Sequence, residues 1–104
     1  MTVNYSSQVI EVRKTAVFDD WLTRLRDATA RAQIVARLRR LSRGNFGDAK
    51  PIGDGLSELR IHSGPGYRLY FVRRGSEIIV VLCGGDKSSQ SRDIAKAKEL
   101  AQEV

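Results

Sequence analysis

At 104 residues the chain has length for one hydrophobic core and too little for a second, which makes residues 1–104 a single domain. With 41% hydrophobic and 29% charged residues, and no low-complexity tract, the composition is that of a globular protein and excludes a disordered or fibrous one. A net charge of +6 points to anionic partners (nucleic acid, a phosphorylated ligand or an acidic protein segment), and the longest apolar run, Ile78 to Cys83, is far too short to span a bilayer.

In chain order, Met1 to Ser7 is polar and lacks the apolar centre of an export signal, so the expected location is the cytoplasm, with no membrane partner. Gln8 to Thr15 (QVIEVRKT) is rich in β-branched residues and suits a first strand. Thr15 can cap a helix over 16–26, in which Phe18, Trp21, Leu22 and Leu25 recur at i, i+3, i+4 and i+7 behind Asp19 and Asp20. A second helix is predicted from Ala28 to Ser42, with Ile34, Val35, Leu38 and Leu41 on its packing face and Arg31, Arg37, Arg39 and Arg40, followed by Arg43, over the rest. Those arginines form either a solvated face or a patch for nucleic acid or an acidic antagonist.

Gly44 to Gly55 (GNFGDAKPIGDG) holds four glycines and a proline and reads as a loop, with Lys50 exposed as an incidental charge or a phosphate contact. Leu56 to Ser63 then alternates, Leu59 and Ile61 on one face, Glu58, Arg60 and His62 on a polar other. After a Ser63-Gly64-Pro65-Gly66 turn, Tyr67 to Arg74 sets Leu69 and Phe71 against Arg68, Tyr70 and Val72. Glu77 to Cys83 is apolar on both faces, as a central strand would be. Gly84 to Ser89 leads into a last helix over Gln90 to Glu103 packed through Ile94, Ala97, Ala101 and Val104; its glycines and serines suit a close backbone approach to a ligand or a helix cap. The order β-α-α-β-β-β-α gives an α+β fold: a mainly antiparallel sheet with an N-terminal helical hairpin and a C-terminal helix.

One cysteine and one histidine allow neither an internal disulfide nor a zinc cluster, and no metal or cofactor is expected. Cys83, within an aliphatic run, reads as a buried strand residue and not a nucleophile. The meander brings Arg60, His62, Arg68 and Tyr70 onto one surface, with Lys87 arriving from the following loop. Arginine forks can hold a phosphate and stabilise charge developing during in-line attack; the competing assignment for both is a salt bridge to Glu58 or a helix carboxylate. His62 is the one side chain of a type that titrates near neutrality, but it has no evident acidic orienter. Tyr67 and Tyr70 suit either stacking on RNA bases or packing.

The segments LRIHSGPGYRLYF and IIVVLCGGDKSSQSRDIAKAKELA resemble the RelE/ParE/HigB superfamily of toxins from bacterial toxin-antitoxin modules, nearest to the phage-type HigB-like addiction module killer proteins. The resemblance spans nearly the whole chain and implies a RelE-like fold. It also implies mRNA endoribonuclease activity, ribosome-dependent in some members, through attack of a ribose 2′-hydroxyl on the adjacent phosphate. A cognate antitoxin, here of the helix-turn-helix kind, is implied as partner, with operator DNA contacted only through it. By position, Arg68 of GYR matches a phosphate-contacting strand arginine, Arg60 a basic residue of the preceding strand, and Lys87 of GGDK a basic residue before the last helix. Glu58 stands where some relatives place a lysine, and their late tyrosine and catalytic histidine near the end of the chain have no counterpart. The alternatives are a ParE-like inhibitor of DNA gyrase, which needs no catalytic group, and a non-toxic basic binding protein.

Overall fold

The computed structural model describes residues 9–104; Met1 to Ser7, and Gln8 of the expected first strand, lie outside the described residues. Thr15 Oγ1 accepts from the Phe18 amide at 3.0 Å and donates to the Leu82 carbonyl at 2.6 Å, so one residue ends strand β1 (Glu11–Lys14), caps helix α1 (Ala16–Arg24) and ties both to the sheet. Asp27 caps α2 (Ala28–Ser42) in the same way, accepting from Ala30 at 3.0 Å. After α2 come β2 (Ala49–Gly53), β3 (Leu56–Ile61), β4 (Tyr67–Arg74), β5 (Ile78–Asp86), a 3-10 turn (Lys87–Ser89) and α3 (Gln90–Ala101). The five strands form one sheet in the order β1-β5-β4-β3-β2, with β1 parallel to β5 and every other pair antiparallel. No helix among the described residues is long and apolar enough to cross a membrane.

The α+β class is as expected, with one strand more. The stretch read as a loop over Gly44 to Gly55 contains β2, which pairs with β3. Pro51 is tolerated because β2 is an edge strand, and the pairing slips between Pro51 and Gly53, where the chain turns through positive φ at Gly53, Asp54 (55°) and Gly55. Composition argued against a strand here because only one side of β2 needs partners.

Both faces of the sheet are covered. On one, Phe18, Ala30, Ile34, Leu38 and Leu41 of the helical hairpin meet Leu59, Ile61, Leu69, Phe71, Ile79 and Val81. On the other, Ala97 and Leu100 of α3 meet Leu56, Tyr70, Val72, Val80 and Leu82. Full burial of a side chain such as Phe18 is worth about 2–3 kcal/mol, and the short α1 depends on that packing to exist. Two assignments shift by a turn: Val35 and Val104 are exposed, and Ala30 and Leu100 hold the packing positions.

Gly84 and Gly85 lie inside β5, not beyond it. A Cβ on Gly84 would sit 2.6 Å from the Trp21 ring of α1, and one on Gly85 would sit 1.8 Å from Asp93 Oδ2 of α3. The glycine pair therefore lets a helix press on each face of the strand; the close approach expected for a ligand is taken by the protein's own side chains.

Candidate functional site

Strand register builds the site. Arg60 on β3 lies directly opposite Arg68 on β4, which lies opposite Gly85 on β5, and the Arg60 amide donates to the Asp48 carbonyl at 2.9 Å. The next row on the same face is Lys50, Glu58, Tyr70 and Cys83. Two guanidinium groups facing each other across a ladder repel, so this row is stable only with an anion nearby.

That anion is Glu58. Its side chain is fully buried, although it lies on the face expected to be polar, because α3 covers this end of the face. Oε2 accepts from Arg68 Nη1 at 2.8 Å and lies 4.0 Å from Arg60 Nε, while Oε1 accepts from Gln90 Nε2, the first residue of α3, at 3.1 Å. Burying a carboxylate is tolerable only when it is paired and hydrogen-bonded in this way. The salt-bridge assignment for the arginines is thus realised. The Arg68 side chain is 15% exposed and that of Arg60 35%, so neither is fully withdrawn from solvent. Among the described residues, Arg60 Nε, Arg68 Nε and the Tyr70 hydroxyl are buried without a hydrogen-bond partner.

Arg60 has a second carboxylate. Asp48 Oδ1 lies 3.2 Å from Arg60 Nη2, and Asp48 Oδ2 meets His62 Nε2 at 2.5 Å. The acidic orienter that the sequence did not offer for His62 is therefore Asp48, fourteen residues away in the chain and adjacent through the unforeseen β2–β3 pairing. Hydrogen bonding from His62 holds the Asp48 carboxyl below the usual carboxylate range, against some desolvation and with help from Arg60. The folded value lies below the unfolded one, so this link stabilises the β2 edge above the ordinary aspartate range and is lost as pH falls through the folded value. Amide-exchange protection of Arg60 should then collapse in acid before that of core β5 amides such as Val81; simultaneous loss of both would contradict the link.

The remaining candidates scatter. Lys87 is exposed in the 3-10 turn and, among the described residues, unpaired; it follows Asp86, the register partner of Tyr67, and so stands at the Arg68 end of β4. Lys50 is exposed on the edge strand. Of the two roles open to the tyrosines, base stacking and packing, both take packing. The Tyr70 ring is fully buried under α3, and burial, with Glu58 and Asp93 nearby, pushes its phenol far above the ordinary range. Tyr67 is 8% exposed and turns to the opposite face, edge-on to Trp21 and hydrogen-bonded to Asp27 at 3.5 Å. Both became core because alternation assigns a side chain to a face without saying what covers that face.

The serines before α3 are also engaged internally, Ser88 with Asp86 and Ser89 with Asp93, each at 2.5 Å. Burial pushes the Cys83 thiol up to about 12, consistent with an inert strand residue. Gln90, Asp48 and Arg37 were missed as site residues. Arg37 of α2 donates to the carbonyls of Arg60 at 2.8 Å and Phe46 at 3.2 Å, pinning β3 to the loop before β2.

Residues 20–103 match the family described as Phage derived protein Gp49-like (DUF891). An uncharacterized protein of Haemophilus influenzae strain Rd is 50% identical over 95 residues, which cover 91% of this chain and 96% of that one. Among solved structures, a doubly substituted mutant of the Escherichia coli toxin RelE in the free state superposes with a TM-score of 0.72 at 17% identity, covering 88% of this chain and 96% of the other. The conserved hypothetical protein HP0894 of Helicobacter pylori superposes with a TM-score of 0.52 at 18% identity, covering 76% and 96%. The fold is thus RelE-like, as the sequence resemblance implied.

Proposed function

The chain belongs to the phage-derived, Gp49-like family, and from that premise we propose that it is the toxin of a toxin-antitoxin pair, acting as an mRNA endoribonuclease on the translating ribosome. The observation that carries the reading is the facing pair Arg60 and Arg68, part-exposed on a RelE-like sheet, with Lys87 at the same end. Two guanidinium groups side by side suit a scissile phosphate, whose charge rises as the neighbouring 2′-oxygen attacks; Lys87 adds a mobile cation from the turn. Partners on this reading are mRNA in the ribosome and a cognate antitoxin of helix-turn-helix type, with operator DNA reached only through the antitoxin. The cytoplasm follows as its place of action.

Arg60→Ala is the informative variant, because Arg60 is more exposed than Arg68 and lies farther from Glu58. It should fold and lose toxicity, with new transcript ends reduced about 100-fold or more, the scale of losing one preorganised charge donor. A folded Arg60→Ala protein that still arrests growth and cuts transcripts at the wild-type rate would sink this site. One observation favours the second reading, a ParE-like gyrase inhibitor: Glu58 already takes part of each arginine's charge. Mapping after induction separates the two, since a nuclease leaves defined mRNA ends and a gyrase inhibitor leaves DNA breaks.

A further inference from the structure

We propose that Asp48 and His62 form the proton-transfer pair of this site: His62 Nδ1 is the general base for the 2′-hydroxyl, and Asp48 is the positioning residue that fixes the ring. The inference rests on the nuclease reading above. Three observations carry it.

The first is commitment of one ring nitrogen. Nε2 of His62 meets the Asp48 carboxylate at 2.5 Å. A carboxylate can only accept, so in the neutral ring the hydrogen sits on Nε2 and the lone pair on Nδ1. The second is continuity with the arginine pair. The same carboxylate reaches Arg60 Nη2 at 3.2 Å with its other oxygen, so the imidazole and a phosphate-facing guanidinium share one fixed group. The third is access. The imidazole is 74% exposed and borders a groove shared with Gln33, Arg37 and Arg40 of α2, so the ring is open to a ligand from solvent.

The charged groups around the ring are Asp48 from the loop before β2, Arg60 from β3, and Arg37 and Arg40 from α2. Arg37 is spent on the carbonyls of Arg60 and Phe46, which fixes the floor of the groove and leaves Asp48 as the carboxylate that orients the ring.

The step balances with water alone. The 2′-hydroxyl proton passes to Nδ1 as its oxygen bonds to phosphorus; the phosphorus–O5′ bond breaks, and the departing 5′-oxygen takes a proton from water. The imidazolium then neutralises the hydroxide left behind, giving a 2′,3′-cyclic phosphate and a free 5′-hydroxyl.

The test uses the purified protein with ribosomes programmed by a defined mRNA, together with nitrogen NMR of its single histidine. His62→Gln should lower kcat about 100-fold or more and flatten the acid side of the pH–rate profile. Asp48→Ala should lower kcat about 10-fold with little change in KM, and Asp48→Glu should recover part of that loss. In the wild-type protein the ring should show the Nε2–H tautomer, a bias that Asp48→Ala removes. Wild-type rates and pH profile in both His62→Gln and Asp48→Ala, or an Nδ1–H ring in the wild type, would overturn the pair while leaving the nuclease reading in place. Absence of any cut mRNA ends from the wild-type protein would overturn both.

Discussion

Arg68→Ala should cost about 3–5 kcal/mol of folding stability, a large share of the roughly 5–15 kcal/mol that holds a domain of this size together. The reason is what it leaves behind. Glu58 is fully buried, and without its 2.8 Å guanidinium partner it would keep only the Gln90 amide at 3.1 Å and Arg60 at 4.0 Å. A buried carboxylate short of a partner is far more costly than a missing contact. Loss of toxicity in Arg68→Ala alone would therefore report folding as much as chemistry.

The informative construction is the pair Arg68→Ala with Glu58→Leu, which removes both charges and returns an apolar side chain to the α3 core. Denaturant midpoints should show the double variant recovering most of the loss, a coupling of about 2 kcal/mol or more. If that protein folds and still arrests growth, Arg68 has no part in function; an unchanged midpoint in Arg68→Ala would mean the ion pair is not buried in solution.

Gly85→Ala is the second large effect, expected at about 1–3 kcal/mol from a single methyl group. The added carbon would lie 1.8 Å from Asp93 Oδ2 and 2.8 Å from Ser89 Oγ, so either the bonded Ser89–Asp93 side-chain pair swings aside or α3 lifts from β5. Lifting α3 also draws Gln90 from Glu58, which makes a packing change at one end of the row an electrostatic change at the arginines. Truncating the obstructing side chain in Gly85→Ala/Asp93→Ala should restore a good part of the thermal midpoint. No loss on Gly85→Ala would show that α3 does not press on the strand as described.

Those two effects also mark where sequence reading was strong and where it stopped. The extent of α2 is legible from Ile34, Leu38 and Leu41 at helical spacing, a local signal; its Asp27 cap shows only in the structure. Alternation placed Leu59, Ile61, Leu69 and Phe71 on one sheet face correctly. It could not show that α3 covers the other face, and for that reason Glu58 read as one group of a polar face and Tyr70 suited either base stacking or packing. Asp48 was invisible for a different reason. Its nearness to His62 and Arg60 depends on β2, whose glycines and proline hide a strand that needs a partner on one side only. Arg60, Arg68 and His62 were recognised by type and position, and Glu58 as a salt-bridge partner open to the arginines; Asp48 was not, since it acts across strands.

The parallel pairing of β1 with β5 sets an order of events in time. Thr15 and Leu82 are joined by a hydrogen bond across 67 residues of chain, so the first strand has no place to dock until the last one exists. Closing so long a loop is entropically slow, and such contacts form late in folding. Gln90, which secures Glu58 between the arginines, is made later still. During synthesis the helical hairpin and the β3–β4 ladder can form early, but the arginine pair gains its fixed geometry only after β5 and Gln90 have been made. On the proposed nuclease reading, a nascent chain would be inert toward the ribosome that is making it.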